Sequence, residues 1–167
     1  MPVRLSLIIF VVVLAVAGGF VVSTSQALPD PVASHFASSG QANAFMSRSA
    51  YVRFMLAFTV GLPLVLGVSM ALVFRHTNKL NLPNRDYWLA PERRAGTISF
   101  LTRHALLLAD GLAIFLCYVH RLVVQANAGQ PARLASDSMI AGLVVLLVAT
   151  LLWTVWLLLA FRAPRMR

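Results

Sequence analysis

Four long apolar runs separated by short polar segments set the strongest limit on how this chain can fold. The first, Leu5 to Val22 (LSLIIFVVVLAVAGGFVV), has 18 residues and no charged side chain. At the helical rise it forms about 27 Å of helix, close to the hydrocarbon thickness of a bilayer. The other runs cover about residues 54–74, 104–124 and 139–161. We therefore predict an all-α membrane protein with four transmembrane helices.

The composition agrees with this class of protein. Hydrophobic residues make up 59% of the 167 residues, and the mean hydropathy is +0.81. Soluble domains usually contain about 45–50% apolar residues. The net charge of +9 would suit a nucleic-acid partner if the basic residues formed one face, but they lie in short groups between apolar runs. We predict one membrane domain over residues 1–167 and no nucleic-acid partner.

The first apolar run has a second interpretation, a cleaved signal peptide. Arg4 precedes the run, and Ser25-Gln26-Ala27 resembles a small-x-small cleavage site. The apolar core of a signal peptide usually has about 7–15 residues, fewer than this run. An uncleaved transmembrane helix is the preferred interpretation, and cleavage is the alternative.

The distribution of Lys and Arg predicts the orientation. With a cytoplasmic N-terminus, 10 of the 14 basic residues lie inside and 4 outside, so the positive-inside rule favours two cytoplasmic termini. The inside residues are Arg4, Arg75, Lys79, Arg85, Arg93, Arg94, Arg103, Arg162, Arg165 and Arg167, and the outside residues are Arg48, Arg53, Arg121 and Arg133. The predicted loops are an outer loop at 23–53, a cytoplasmic loop at 75–103 and a short outer loop at 125–138.

The first outer loop contains LPDPVASHFASSGQANAFMSR, a segment typical of an ordered loop. Its two prolines fix φ near about −65°. Asp30 can accept hydrogen bonds from nearby backbone N–H groups, and Gly40 permits a left-handed turn. Val32 and Phe36 are expected against the membrane surface or the top of the bundle. The candidate recognition residues are Asp30, His35, Phe36, Gly40 and Asn43.

A metal or acid–base site at Asp30 and His35 is the competing hypothesis for this loop. Imidazole is the commonest metal ligand, but a catalytic zinc site normally needs three protein ligands. His76 and His104 belong to the cytoplasmic side, and His120 lies inside the third run. We therefore predict no metal site and a hydrogen-bonded, structural His35.

The cytoplasmic loop contains NRDYWLAPERRAGT, which predicts an elbow at the membrane interface. Asn84-Arg85-Asp86 is typical of a turn, and the Tyr87-Trp88 pair favours the interface. Pro91 suits a first helical position, so a helix is expected from Pro91 into the third run. The candidate elbow residues are Asp86, Tyr87, Trp88, Glu92, Arg93 and Arg94. They form either a docking surface for a partner or a phospholipid head group, or simply an anchored interfacial elbow, which we prefer.

Asp110 lies inside the third apolar run, where an ionised carboxylate costs at least about 2.5–3.5 kcal/mol. Arg103, Asp110, Cys117 and Arg121 fall within about 20° of one another around a helix, so one stripe carries the polar groups. Two interpretations remain open. Asp110 is either neutral and hydrogen-bonded to another helix, or it takes part in proton or ion movement.

Two further patterns concern helix packing. Small residues recur at Ala105, Ala109 and Ala113, and again at Ala15 and Gly19, a spacing that lets helix backbones approach closely. Pro63 in the second run predicts a kink.

The loop motifs resemble those of a known family. LPDPVASHF, followed by Gly40 and NAFMSR, and later NRDYWLAPERRAGT, resemble a family of small bacterial membrane domains of unknown function, which also form the N-terminal part of SdpI-like toxin-immunity proteins. The resemblance covers about the first 105 residues, and VHRLVVQAN at 119–127 is similar to its proteobacterial members. It implies a multi-pass protein of the bacterial inner membrane that acts as an accessory, sensor or immunity-like module.

The sequence lacks HExxH, G-x-S-x-G and Walker-type motifs and has no paired carboxylates on one helix, so we predict no enzyme activity and no cofactor. We expect the outer loop to recognise a membrane-active ligand or partner. Anionic lipid head groups at the cytoplasmic face, a membrane-protein partner and a homo-oligomer are the expected partners. The alternative function is a small proton- or ion-coupled transporter that uses Asp110.

Overall fold

A computed structural model describes residues 2–76 and 80–162 of the chain. Four helical segments are long and apolar enough to cross a membrane: Val3–Ala27, Arg48–His76, Pro91–Asn127 and Ser136–Ala160. Each predicted apolar run lies within one of them, apart from Phe161, which follows the last helix. The prediction of a mostly helical chain with four helices long and apolar enough to cross a membrane is therefore confirmed. The orientation stays a prediction, and three of its basic residues, Lys79, Arg165 and Arg167, lie outside the described residues.

The elements follow in a simple order along the chain. They are α1 (Val3–Thr24), a 3-10 turn (Ser25–Ala27), β1 (Val32–Phe36), β2 (Ala42–Met46), α2 (Arg48–Leu56), a π-helical turn (Ala57–Gly61), α3 (Leu62–His76), α4 (Arg85–Trp88), α5 (Pro91–Asn127) and α6 (Ser136–Ala160). α5 begins at Pro91, as predicted, with proline in its first turn.

The all-α prediction is wrong in one respect, because the first outer loop forms a two-stranded antiparallel sheet. β1 pairs with β2 from Val32↔Met46 to Phe36↔Ala42, with irregular register on both sides of His35. The two strands satisfy each other's backbone polar groups, which a loop on top of an apolar bundle must otherwise leave to water. Gly40, at φ 80°, makes the turn between them.

Contacts between distant residues give the directions of the helices. Thr24 in α1 lies beside His120 in α5, and Phe10 packs against Leu106, so α1 and α5 are parallel. Tyr51 in α2 also contacts His120, whereas Gly67 in α3 lies against Leu106 and Ala109, so this segment is antiparallel to α5. α5 is the central helix, in contact with α1, α3 and α6. We call the end that carries β1 and β2 the hairpin end, and the end that carries α4 the elbow end.

Three clusters of buried side chains are stacked along the bundle. The hairpin-end cluster contains Val21, Leu28, Val32, Tyr51, Met55 and Val123. The middle cluster contains Phe10, Leu14, Leu106, Ala109 and Ala113, and the elbow-end cluster contains Leu80, Leu101 and Phe161. The strand β1 belongs to the first cluster through Val32, so the hairpin is part of the packed structure.

Small residues allow close helix contact, but only one of the two predicted sets does so. Ala105, Ala109 and Ala113 are all buried on α5. Ala15 and Gly19 are exposed, which makes that part of the prediction wrong. The buried face of α1 passes through Ala17 instead, and the neighbouring Gly18 lies close to Val60. Ala17 and Gly18 lie one or two residues from Ala15 and Gly19, and this offset places them on a different face of the helix.

The predicted kink at Pro63 takes the form of a π-helical turn just before it. Proline has no N–H group, so the carbonyl of Thr59, four residues earlier, loses its normal helical partner. The π-helical turn at Ala57–Gly61 changes the hydrogen-bond pattern of several residues, so the missing bond is not concentrated at one carbonyl. Thr59 and Pro63 are both fully buried in the bundle.

α6 is the peripheral helix, with no buried residue of its own. At the hairpin end, Tyr118 donates a hydrogen bond of 2.6 Å to the Ser138 carbonyl, and its ring lies over Gly142. At the elbow end, Trp88 Nε1–H donates to the Phe161 carbonyl at 2.9 Å. α6 is therefore held by a few hydrogen bonds and, at the elbow end, by ring contacts. Trp153 and Trp156 contact His104, and Phe161 contacts Phe100.

Candidate functional site

Asn127, in the last turn of α5, attaches the hairpin to the bundle. Its Oδ1 accepts a hydrogen bond of 2.8 Å from Ala33 N–H, and its Nδ2 donates to the carbonyls of Ala33 and Val123, both at 2.9 Å. The side-chain amide thus pairs with the backbone of β1 as a neighbouring strand would. Because Ala33 and Val32 are fully buried beside it, this edge of the hairpin is closed.

Gly40 attaches the tip of the hairpin to the segment before α6. Its carbonyl accepts a hydrogen bond of 2.8 Å from Leu134 N–H. A Cβ atom at this position would lie 2.5 Å from the Leu134 carbonyl oxygen. Both the positive φ and the close approach require glycine here. Gly40 is buried, so it contributes to the site by fixing the conformation of the hairpin.

The outer strand β2 presents three consecutive exposed residues, Asn43, Ala44 and Phe45. Phe45 is 59% exposed, unusual for an aromatic side chain in an ordered element. His35 lies beside this strand and donates from Nδ1 to Asn43 Oδ1 at 2.6 Å. Together His35, Asn43, Ala44 and Phe45 form what we call the hairpin surface.

The predicted recognition residues divide into two groups. Asp30, His35 and Asn43 are exposed, whereas Phe36 packs against the hairpin-end cluster and Gly40 is buried. Asp30 does not form a local turn, because its Oδ1 accepts from Arg48 N–H at 3.2 Å, 18 residues away. Phe45 was missed by the sequence analysis, because no strand was predicted there. Asn43, Ala44 and Phe45 are all exposed, without the alternation that marks a strand.

Asp30 and His35 are not brought together as a metal site. Each has a separate protein partner, and within residues 2–76 and 80–162 no group of three or more His, Cys, Asp or Glu side chains could hold a metal ion. The hairpin surface is suited to non-covalent contact, with one aromatic ring and a hydrogen-bonded His–Asn pair.

Below the hairpin, His120 connects three helices through a chain of hydrogen bonds. It is fully buried; Nδ1 lies 2.9 Å from the Tyr51 hydroxyl and Nε2 lies 2.8 Å from Thr24 Oγ1. Thr24 donates its own proton to the Phe20 carbonyl at 2.6 Å, so its oxygen accepts from Nε2–H. With Nε2–H as a donor, a neutral His120 accepts at Nδ1 from the Tyr51 hydroxyl.

Sequence reasoning placed His120 in the third apolar run but gave it no role. The available signal was the residue type itself, because a histidine inside an apolar span needs partners on other helices. Its partners lie 96 and 69 residues away in the chain, so only the tertiary structure identifies them.

The elbow residues hold the far end of α6. Asn84, at φ 53°, donates from Nδ2 to the Phe161 carbonyl at 3.0 Å, the same acceptor that Trp88 uses. Thr97 Oγ1 donates to the Trp88 carbonyl at 2.8 Å, and the Arg93 guanidinium lies 4.0 Å from the centre of the Tyr87 ring. Asp86, Glu92 and Arg93 are exposed, whereas Tyr87, Trp88 and Arg94 are half-buried.

Asp110 is buried on α5, at 6% exposure, and its Oδ1 has no hydrogen-bond partner among the described residues. The predicted polar stripe does not share one environment. Arg103 and Cys117 are half-buried, and Arg121 is exposed. Along this stripe, the side chain is therefore in the bundle core at Asp110 and at the surface at Arg121.

Comparison with models of protein families, with curated proteins and with solved structures finds no match to this chain. The fold itself defines a class: a small helical bundle of membrane-spanning type, capped at one end by an attached β-hairpin.

Proposed function

We propose that this chain is a non-enzymatic recognition module of the bacterial inner membrane, which uses the hairpin surface to bind a membrane-active peptide. The observation that carries the proposal is an exposed strand on a fixed base: Asn43–Phe45 faces outward while Asn127 and Gly40 attach the hairpin to the bundle. A surface ordered before binding loses little conformational entropy when the ligand arrives. The resemblance of LPDPVASHF to immunity-like membrane domains supports the same function.

Charge at the hairpin end narrows the class of ligand. This end carries more basic than acidic side chains. The basic residues are Arg48, Arg53, Arg121 and Arg133, and the acidic residues are Asp30 and Asp137. Like charges across an interface oppose association, so a strongly cationic peptide is disfavoured. An apolar or acidic peptide, whose apolar side chains contact Phe45, suits this surface better.

The test is a sensitivity assay in cells that lack the protein and are complemented by variants. We expect deletion to raise sensitivity to at least one apolar or acidic membrane-active peptide, and wild type to restore resistance. Phe45→Ala and His35→Ala should lower binding of that peptide to the purified protein by about tenfold, the effect of a single aromatic or polar anchor. The matched control is Phe54→Ala, which removes a phenylalanine of 48% exposure from α2.

Two outcomes would contradict the proposal. The deletion strain could keep normal sensitivity across a broad panel of peptides, or Phe54→Ala could weaken binding as much as Phe45→Ala does. The second outcome would assign binding to general apolar contact with the bundle.

A second candidate function, a small proton- or ion-coupled transporter, is favoured by one observation. Among the described residues, one carboxylate oxygen of the buried Asp110 has no hydrogen-bond partner, and intramembrane carboxylates commonly mark ion paths. In proteoliposomes, a pH-dependent flux should disappear in Asp110→Asn and persist in Asp137→Asn. Flux that survives Asp110→Asn, or no flux in the wild type, would eliminate this function.

We further propose that the elbow anchors the protein at the cytoplasmic face through anionic lipid head groups. Two arginines and one carboxylate line a cavity of about 430 Å³ together with three aromatic residues, so its charged lining has a net positive charge. The lining includes Arg93, Arg103, Glu92, Trp88, Phe100 and Phe161. Cationic side chains near aromatic rings are typical of membrane interfaces. A docking surface for a partner protein or for a second copy is the alternative use of the elbow, through its exposed residues Asp86, Glu92 and Arg93.

A further inference from the structure

An apolar groove runs along the junction of α1 and α5 on the hairpin half of the bundle. It has a volume of about 460 Å³ and is lined on α1 from Val12 to Phe20 and on α5 from Ile114 to Arg121. Val16 and Ile114 at its rim are more than 60% exposed, so the groove opens sideways, away from the bundle. In a helix that crosses a membrane, this direction faces the lipid chains.

One end of the groove carries a charged side chain, Arg121, which is exposed. The depth of Arg121 in the membrane can be deduced from the neighbouring helix, α1. The apolar run of α1 ends at Val22 and is followed by Ser23 and Thr24, and Thr24 is hydrogen-bonded to His120, the residue before Arg121. Arg121 therefore lies where α1 changes from apolar to polar, which is the level of lipid head groups.

The length of the groove follows from the helix rise. Ile114 and Arg121 are seven residues apart, which is about 10.5 Å along α5. The groove thus extends from the head-group level into the hydrocarbon, and its walls are mostly apolar. Arg121, the cationic residue of its lining, lies at the level where a phospholipid carries its phosphate. The guanidinium thus matches the head group of a lipid, and the apolar lining matches its acyl chain.

We propose that the α1–α5 groove is a specific phospholipid site, with one acyl chain along the groove and the phosphate on the Arg121 guanidinium. The lipid comes from the leaflet at the hairpin end. The site is separate from the hairpin surface and does not depend on the function proposed for it. Arginine suits this role because its planar fork of N–H donors matches phosphate oxygens.

The experiment measures lipid retention by the full chain with native mass spectrometry in mild detergent. The probes are palmitoyl-oleoyl phosphatidylglycerol and a diacylglycerol with the same chains and no phosphate. We expect wild type to retain one phosphatidylglycerol, and Arg121→Gln to lower this retention by about tenfold, the effect of losing one charge-assisted contact. Retention of diacylglycerol should be weak and the same in both proteins.

A second variant and a control separate the groove from general attraction to anionic lipid. Val16→Trp places a large ring at the rim and should abolish retention while the bundle stays folded, because Val16 is exposed. Arg53→Gln removes an exposed arginine at the same end but outside the groove, and should retain lipid as wild type does. Circular dichroism and thermal unfolding confirm that each variant is folded.

The proposal is overturned by any of four results. Arg121→Gln or Val16→Trp could retain phosphatidylglycerol at the wild-type level, or Arg53→Gln could lose it to the same extent as Arg121→Gln. Alternatively, the wild type could be a dimer that Val16→Trp converts to a monomer, which would make the groove an interface between copies.

Discussion

A buried imidazole favours a hydrogen-bond partner at each ring nitrogen, because an unpaired polar group costs free energy when it is buried. His120 obtains one partner from α1 and one from α2, and Phe20 packs edge-on against the ring at 5.7 Å between centroids. Every donor in the chain from Tyr51 to the Phe20 carbonyl has one acceptor. His120 thus determines how the two helices that flank the hairpin sit against α5.

His120→Ala is expected to lower the free energy of unfolding by about 2–4 kcal/mol, because it leaves a cavity and removes the hydrogen-bond partner of the buried Tyr51 hydroxyl. Tyr51→Phe, which removes a single hydrogen bond, should cost about 1 kcal/mol. Unfolding in mixed micelles measures both. The control His35→Ala, at an exposed position, should cost less than about 0.5 kcal/mol. Equal effects of His120→Ala and His35→Ala would rule out the structural role of the network.

At the scale of elements, the hairpin depends on contacts at both of its ends. Asn127 holds β1 near the middle of the strand, and the Gly40 carbonyl binds the segment before α6. Ser47 caps α2 directly after β2 by accepting from Ala50 N–H at 3.3 Å. The hairpin therefore has little freedom to move as a loop.

Gly40→Ala tests this attachment, because alanine at positive φ is strained and its Cβ would meet the Leu134 carbonyl. We expect a loss of about 1–3 kcal/mol and faster amide hydrogen exchange over residues 32–46, with little change in α5. Gly129→Ala is the matched control, since its Cβ would meet nothing closer than 3.9 Å. Unchanged exchange in Gly40→Ala would mean that the tip contact does not order the hairpin.

At the scale of the whole molecule, the bundle has two chemically different ends. Both ends of the described chain, Pro2 and Arg162, lie at the elbow end, because α1 and α5 run toward the hairpin and α6 returns. Within the described residues, seven arginines belong to the elbow end and four to the hairpin end. They are Arg4, Arg75, Arg85, Arg93, Arg94, Arg103 and Arg162, against Arg48, Arg53, Arg121 and Arg133. This excess favours the elbow on the cytoplasmic side.

Cysteine labelling in a Cys117→Ala background measures the orientation. Ser38→Cys, at the exposed hairpin tip, should react with a membrane-impermeant thiol reagent in spheroplasts. Glu92→Cys, in the elbow, should react only after the membrane is permeabilised. The reverse pattern would place the hairpin in the cytoplasm and remove the proposed encounter with external peptides.

Several features were predictable from local sequence because their physical causes are local. Apolar length predicted four helices, Pro91 predicted the start of α5, and Gly40 predicted a left-handed turn. The hairpin was missed because irregular register around His35 breaks the alternation that marks a strand. The face of α1 was assigned to Ala15 and Gly19 rather than Ala17, because small-residue spacing alone does not identify the partner helix.

The sequence by itself determined the class of molecule, because the cost of exposing peptide groups and charges to hydrocarbon depends on composition and length alone. Only the tertiary structure decided which polar groups meet. Asn127 finds Ala33 at a separation of 94 residues, and His120 finds Thr24 at 96. Such pairings depend on how helices are rotated and aligned against one another, and helix periodicity leaves that choice open until the whole bundle is packed.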